Sequence, residues 1–252
     1  MTPQRILKAI VSRSVGLFGY EIAPKNNHAQ REDGRYASFD MKGALERCAR
    51  RGLPINTVID IGASDGQWAF PALEILKPKR ILMIEAQEPH KAALQIFVDK
   101  YPLAEYVIAA AGNREGEIFF DNGALFGGLA SETPFAENCI RVPVVTVDIE
   151  VQNRQLPGPY LLKLDTHGFE VPILEGAIKT LEQCTYVIIE VYNFKLGDIA
   201  LRFWEMCAYM ANLGFYPIDL VDLMHKLDGA LWQGDIVFAN KNTGLFESVS
   251  HN

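Results

Sequence analysis

The stretch VIDIGASDGQW (58–68) decides how the rest of the chain is read. An apolar, β-branched run ends in an acid, Asp60, and Gly62 and Gly66 flank a tight turn into a helical segment. This is the pattern of a buried strand handing over to a helix. Glycine lets the main chain approach a ligand closely, and a helix N-terminus offers N–H groups. The spacing is GxxxG, not the GxGxxG of dinucleotide sites. An acid at Asp60 suits an ammonium group and repels a pyrophosphate. The plain alternative is a strand–turn–helix without a ligand, because glycines are common in such turns.

Working outward, strand-like runs alternate with amphipathic segments. ILMIEA (81–86) precedes HKAALQIFVDKY (90–101), and YVIAAAG (106–112) follows as a third strand. LLKLD (161–165) precedes a helix at 171–184, and TYVIIEVY (185–192) precedes ALRFWEMCAYMANLG (200–214). This rhythm predicts an α/β domain with a parallel sheet covered on both faces. FYPIDLVDL (215–223) and ALWQGDIVFANK (230–241), joined through an Asp-Gly turn, predict an antiparallel hairpin. Residues 112–150, with the glycine-rich NGALFGGLA (122–130), break the rhythm and read as an inserted β-hairpin or loop over one edge.

The chain has 252 residues, 49% of them apolar and 22% charged, which suits a globular domain with an extension. Its formal net charge of −7 and the lack of a basic stripe argue against nucleic acid as a partner. Cys48, Cys139, Cys184 and Cys207 are too scattered for a zinc site. An amphipathic helix is expected at 3–18, packing on the main domain or on a second subunit of a homodimer, and a polar linker at 23–36. A further helix is expected at 40–51, stopped by Gly52 and Pro54. The N-terminus lacks a long apolar region and a clear cleavage site, and no transmembrane run is present, so the expected compartment is the cytoplasm.

Ligands collect at strand C-terminal ends in such sheets, so acids there carry weight. Glu85 ends the second strand, placed for both hydroxyls of a ribose. The small residues at 109–112 leave room for a flat ring, or for close helix packing. In LLKLDTHGFEVPILEGA (161–177), Lys163, Asp165, His167 and Glu170 crowd one strand end, and Glu190 ends the next strand. Glu170 reads equally well as a first-turn acid of the following helix, and Lys163 as the partner of an acid.

VIDIGASDG, IEAQEP, AAGNREGEIFF, VPVVTVD, LLKLDTHGFEVPILEGA, VIIEV and GDIVFANK occur in that order. Over roughly residues 55–240 the chain resembles the FkbM-type family of S-adenosylmethionine-dependent methyltransferases. The resemblance implies a Rossmann-like class I methyltransferase fold: a seven-stranded, mostly parallel sheet with an antiparallel C-terminal hairpin. The first 55 residues lie outside the resemblance and read as an N-terminal helical extension and linker (1–55), with the S-adenosylmethionine-dependent methyltransferase domain at 56–252.

By the same resemblance Asp60, Gly62, Ala63 and Gly66 would hold the methionine part of S-adenosylmethionine. Glu85, with Ala86, would take the ribose, and Ala110 would border the adenine. Asp165 and its neighbours would line the transfer site. The implied acceptor is a hydroxyl of a sugar, glycan or small natural product. His167 stands where the family more often carries an acid or amide. Its imidazole has a suitable pKa for a general base, with Asp165 the other candidate; capping of the turn is the plain alternative. Asp165 could instead bind the cofactor amine, or join Glu190 and His225 around a divalent cation, which the sequence does not favour. The loop at 126–135 and the N-terminal extension are expected to wall the acceptor cleft or a dimer contact. A nicotinamide-dependent dehydrogenase is opposed by the GxxxG spacing, Asp60 and the hairpin. A non-catalytic scaffold is opposed by the retained Asp60, Glu85 and Asp165.

Overall fold

The computed structural model describes residues 38–197 and 199–247. The helix expected at 3–18 and the linker at 23–36 lie outside the described residues. Helix α1 (Met41–Arg50) is capped by Asp40, whose carboxylate accepts from the Gly43 amide at 2.9 Å. Next come β1 (Thr57–Ile61), α2 (Ala69–Leu76), β2 (Arg80–Glu85), α3 (Lys91–Lys100) and β3 (Ala104–Ile108). An insertion follows: β4 (Ala110–Ala111), β5 (Gly116–Asp121), β6 (Leu129–Ser131) and β7 (Cys139–Val145). The chain then runs through α4 (Val147–Asn153), β8 (Tyr160–Leu164), α5 (Glu170–Glu175), α6 (Ile178–Leu181) and β9 (Cys184–Tyr192). It closes with α7 (Phe203–Asn212), β10 (Phe215–His225) and β11 (Leu231–Asn240).

The main sheet is seven-stranded, in the order β10-β11-β9-β8-β1-β2-β3. β3, β2, β1, β8 and β9 run parallel, while β11 is antiparallel to both β9 and β10. This is the Rossmann-like class I methyltransferase arrangement. The strand order turns back between β1 and β8, the switch point outside which ligands bind in open α/β sheets. Side-chain alternation builds a core on each face. Ile59, Ile61, Leu82, Ile84, Leu162 and Leu164 join Val147, Ile173, Met206 and Met210 on one side. Val58, Ile81, Met83, Leu161 and Ile188 join Ala44, Leu45, Ala72 and Leu94 on the other.

Three details differ from the sequence reading. The third strand stops at Ile108, and Ala110 and Ala111 form β4 in a second sheet, because they pair with Val144 and Val145 instead. The insertion is a four-stranded sheet, in the order β4-β7-β5-β6, and not a lone hairpin, because β7 pairs on both edges. The helix expected at 171–184 breaks into α5 and α6, and Cys184 already belongs to β9. The break lies at Gly176, where an added Cβ would sit 2.0 Å from the Gly112 carbonyl oxygen, so main chain packs on main chain there.

Helix α1 falls in the stretch read as an extension, yet its Leu45 is fully buried against the second face. Leu45→Ala is expected to cost about 2–5 kcal/mol, the range for a truncated core leucine. Urea unfolding checks this, and an unchanged midpoint would show that α1 does not support the sheet.

Candidate active site

Four strands end their apolar files with a charge on the same face of the sheet. Val58 is followed by Asp60, Leu161 by Lys163 and Ile188 by Glu190, each two residues on; on antiparallel β11, Asp235 precedes Val237 by two. Register stacks them in two levels. Asp60 lies opposite Lys163, and Asp235 lies opposite Glu190. Asp165 follows directly after β8.

Lys163 is the centre of this cluster. Its ammonium donates to Asp165 Oδ2 at 2.9 Å and lies 5.5 Å from the centroid of the Trp68 ring. Burial alone would push its pKa down; the charges of Asp165, Asp60 and Asp235 outweigh this and hold it above the ordinary lysine value. Burial pushes the Asp60 carboxyl up to about 7, against the pull of Lys163. Asp235 rises to about 7 for the same reasons. Asp165 resists burial through Lys163 and His167 and stays below its ordinary value.

The loop after β1 is stitched to β2. Gly62 and Ala63 amides donate to the Ile84 carbonyl at 2.9 and 3.1 Å, and the Ser64 amide donates to Glu85 Oε2 at 2.7 Å. Glu85 Oε1 accepts from the Gln87 amide, also at 2.7 Å. Two amides therefore fix the carboxylate, and its remaining lone pairs can still accept. Gly62 adopts φ +76°, and a Cβ there would lie 2.0 Å from the Asp165 carbonyl oxygen. Only glycine fits, and the β1 and β8 loops touch through main chain. Helix α2 starts at Ala69, beyond the expected turn at Gly66, so its N-terminus does not sit directly on the loop. Ala86 packs against the first core, and Ala110, in β4, follows an Ala109 amide bonded to the Glu85 carbonyl at 2.8 Å.

Buried polar atoms without a partner gather here: both Asp60 oxygens, Ser64 Oγ and Trp68 Nε1. An unpaired buried group costs about 1–3 kcal/mol. A ligand carrying a cation and polar groups fits such a lining.

On the other side of Lys163, His167 (φ +52°) and Gly168 (φ +105°) turn the chain back over the sheet. Glu170 is buried and holds that turn, accepting from the Gly168 amide at 2.9 Å and from Thr166 Oγ1 at 3.1 Å. His167 Nδ1 lies 3.0 Å from Glu190 Oε2 and 2.9 Å from the Tyr192 hydroxyl. Burial lowers the imidazole pKa, but the hydrogen bond and charge of Glu190, then Asp165, raise it to about 9. The resting ring at neutral pH is therefore an imidazolium, not the neutral imidazole that the sequence reading assumed.

Asp165, His167 and Glu190 each offer a ligand atom within 4.8 Å of the others, a spacing that admits a divalent cation. The structure gathers His167 there instead of His225, which is exposed on β10. The same atoms already satisfy one another, with a proton on Nδ1 and Lys163 as counter-charge.

Tyr192, Gln233, Asp235 and Trp68 were missed from the sequence. The polar QGD (233–235) inside an otherwise apolar strand was the available signal. The insertion leans on the β2 side of the site. Gln87 Nε2 donates to the Ala124 and Leu125 carbonyls at 3.1 and 3.0 Å, and His90 Nε2 donates to Leu125 at 2.8 Å.

The domain described as methyltransferase FkbM domain matches residues 60–217. The chain belongs to this family. Among solved structures it is similar to methyltransferase FkbM from Methylobacillus flagellatus, at 18% identity and a TM-score of 0.49. That match covers 75% of this chain and 46% of the other, so this chain spans less than half the length of that relative. It is also similar to precorrin-6y C5,15-methyltransferase from Geobacter metallireducens, at 10% identity and a TM-score of 0.45, covering 83% and 95%. A third is the Burkholderia thailandensis 1,6-didemethyltoxoflavin-N1-methyltransferase, at 13% identity, a TM-score of 0.43 and 79% of each chain. A search of curated proteins gave no match. Among the described residues no helix is long and apolar enough to cross a membrane.

Asp60, Asp235 and His167 all hold their protons more tightly folded than unfolded. Their stabilisation is complete below the unfolded pKa and is lost as pH rises. The windows run from about 4 to 7 for the two aspartates and from about 6.5 to 9 for the histidine. Asp165 works oppositely, and its contribution is lost only as pH falls below the carboxylate range. The unfolding free energy is expected to decline from about pH 5 to pH 9, with Asp60→Asn flattening the acid half. Urea titrations across pH check this; a wild-type profile that rises over that range would contradict it.

Proposed function

We propose that this chain is an S-adenosylmethionine-dependent O-methyltransferase acting on a hydroxyl of a sugar, glycan or small natural product. The observation that carries the reading is the pairing of two half-sites across Lys163. One is the loop at 60–68, lined with orphaned buried polar atoms; the other is the Asp165–His167–Glu190 network. Membership of the FkbM methyltransferase-domain family supports it.

S-adenosylmethionine, when bound, supplies an electrophilic methyl group on a sulfonium. In this reading Asp60, Gly62, Ala63 and Gly66 hold its amino-acid part, and Asp60 offers the unpaired carboxylate for a cation. Glu85 accepts from the ribose hydroxyls with the lone pairs that Ser64 and Gln87 leave open. Ala86 and Ala110 border the base. Asp165, fixed by Lys163, lines the transfer site and orients the acceptor.

A hydroxyl is a poor nucleophile at neutral pH, so His167 takes its proton as methyl transfer proceeds. The ring's raised pKa means that the base form is populated towards about pH 9, so turnover climbs with pH through that range. Positioning supplies much of the remaining acceleration. Tyr192, bonded to Glu190, meets Trp232 edge to face at 6.0 Å, and aromatic rings near a carboxylate suit a sugar-like acceptor.

Calorimetry is expected to show binding of S-adenosylmethionine and none of NAD; the reverse would sink the reading. Asp60→Ala should weaken cofactor binding about tenfold or more, a loss of about 1.4 kcal/mol. His167→Ala should lower turnover by about 10²–10⁴ while leaving cofactor affinity near wild type. Full turnover in that variant would remove His167 as the base. Dialysis against a chelator is expected to leave activity intact; loss that magnesium restores would place a cation at this site.

A further inference from the structure

Glu190 is held by more groups than its own strand provides. Gln233, on β11, donates its side-chain amide to Glu190 Oε1 at 2.6 Å, and the Tyr192 hydroxyl donates to Oε2 at 2.5 Å. Gln233 lies opposite Tyr192 in the β9–β11 register and diagonal to Glu190, within reach of a long side chain. Each Glu190 oxygen thus has a donor of its own apart from His167.

This arrangement determines where the histidine proton sits. Tyr192 has one hydroxyl proton, and it goes to Glu190. Its oxygen can then only accept from Nδ1, 2.9 Å away, and Glu190 Oε2 can likewise only accept. With acceptors on both sides, Nδ1 carries the hydrogen in the neutral ring. Nε2 is left as the nitrogen that takes a proton.

We propose that Gln233 is a positioning residue: by anchoring Glu190, it fixes the His167 ring and keeps Nε2 as its proton acceptor. The proposal rests on the reading of His167 as the base. The other charged groups facing the ring are Asp165, 3.8 Å from Nδ1, and Glu170 on α5. Lys163 acts on it through Asp165, and Asp235 stands opposite Glu190. Replacing Gln233 leaves all of these in place, so an effect of that variant reports on the anchor.

The direction follows from charge. A carboxylate that loses a hydrogen-bond donor concentrates more negative charge on its remaining contacts. In Gln233→Leu, Glu190 therefore stabilises the imidazolium more strongly, and the ring gives up its proton at higher pH. The rising limb of kcat against pH should move alkaline by about half a unit to one unit. Turnover near neutral pH should fall about three- to tenfold, with KM for the acceptor and Kd for S-adenosylmethionine unchanged. Glu190→Gln should move the same limb in the acid direction, because it removes the charge that holds the proton.

The test measures the pH profiles of wild type, Gln233→Leu and Glu190→Gln, with thermal unfolding as the control for folding. A folded Gln233→Leu whose limb stays in place overturns the proposal. If that variant does not fold, Gln233→Met, similar in size and without the amide donor, carries the same expected alkaline shift; a limb that stays in place there overturns the proposal equally. Full turnover in His167→Ala would instead overturn the base reading, a result distinguishable from failure of the anchor alone.

Discussion

One buried ammonium organises this site. Lys163 lies 3% exposed beneath Asp165, with Asp60 opposite it and Asp235 one level up. Each of these charges would be costly alone in the sheet interior, and together they are tolerated. A buried ion pair of this kind adds little net stability over an apolar core, but removing one partner is expensive. The cluster therefore holds the carboxylates where they are and does little to hold the fold together. The fold rests on the two apolar faces below, which are complete without it.

The two halves of the site are built by different means. The loop at 60–66 is shaped by main chain: amides bonded to Ile84 and Glu85, and Gly62 pressed onto the Asp165 carbonyl. The other half is shaped by side chains: Glu190, His167, Tyr192 and Gln233 bond one another across β9, β11 and the turn after β8. The Gly62–Asp165 contact joins them. Because two backbones meet there without an intervening side chain, the distance between the β1 loop and the turn after β8 is set by the sheet spacing and has little freedom to drift.

Around Lys163 and His167 stand Asp60, Asp165, Glu190 and Asp235, more acid than base. Asp60 and Asp235 respond by holding protons at pH values where an exposed aspartate would not. Such a lining suits a cationic ligand and disfavours a pyrophosphate.

These means of construction explain what the sequence could reveal. The places of Asp60, Gly62 and Glu85 are legible because they follow from chain-local geometry: a strand end, a left-handed turn, a carboxylate next to amides. The parallel sheet and the terminal hairpin are legible from periodicity for the same reason. Gln233 and Asp235 were not, because their importance depends on which residue of β9 each faces. Antiparallel register supplies that information, and a slip of one residue would turn both away from Glu190. The Ala110–Ala111 pair was misassigned through the same gap: two small residues read as the end of β3 until β7, some thirty residues on, pairs with them. His167 falls between the two cases. Its place in the turn is local, but its proton affinity is set by Glu190 on the neighbouring strand, so the sequence names the residue and only the fold gives its charge.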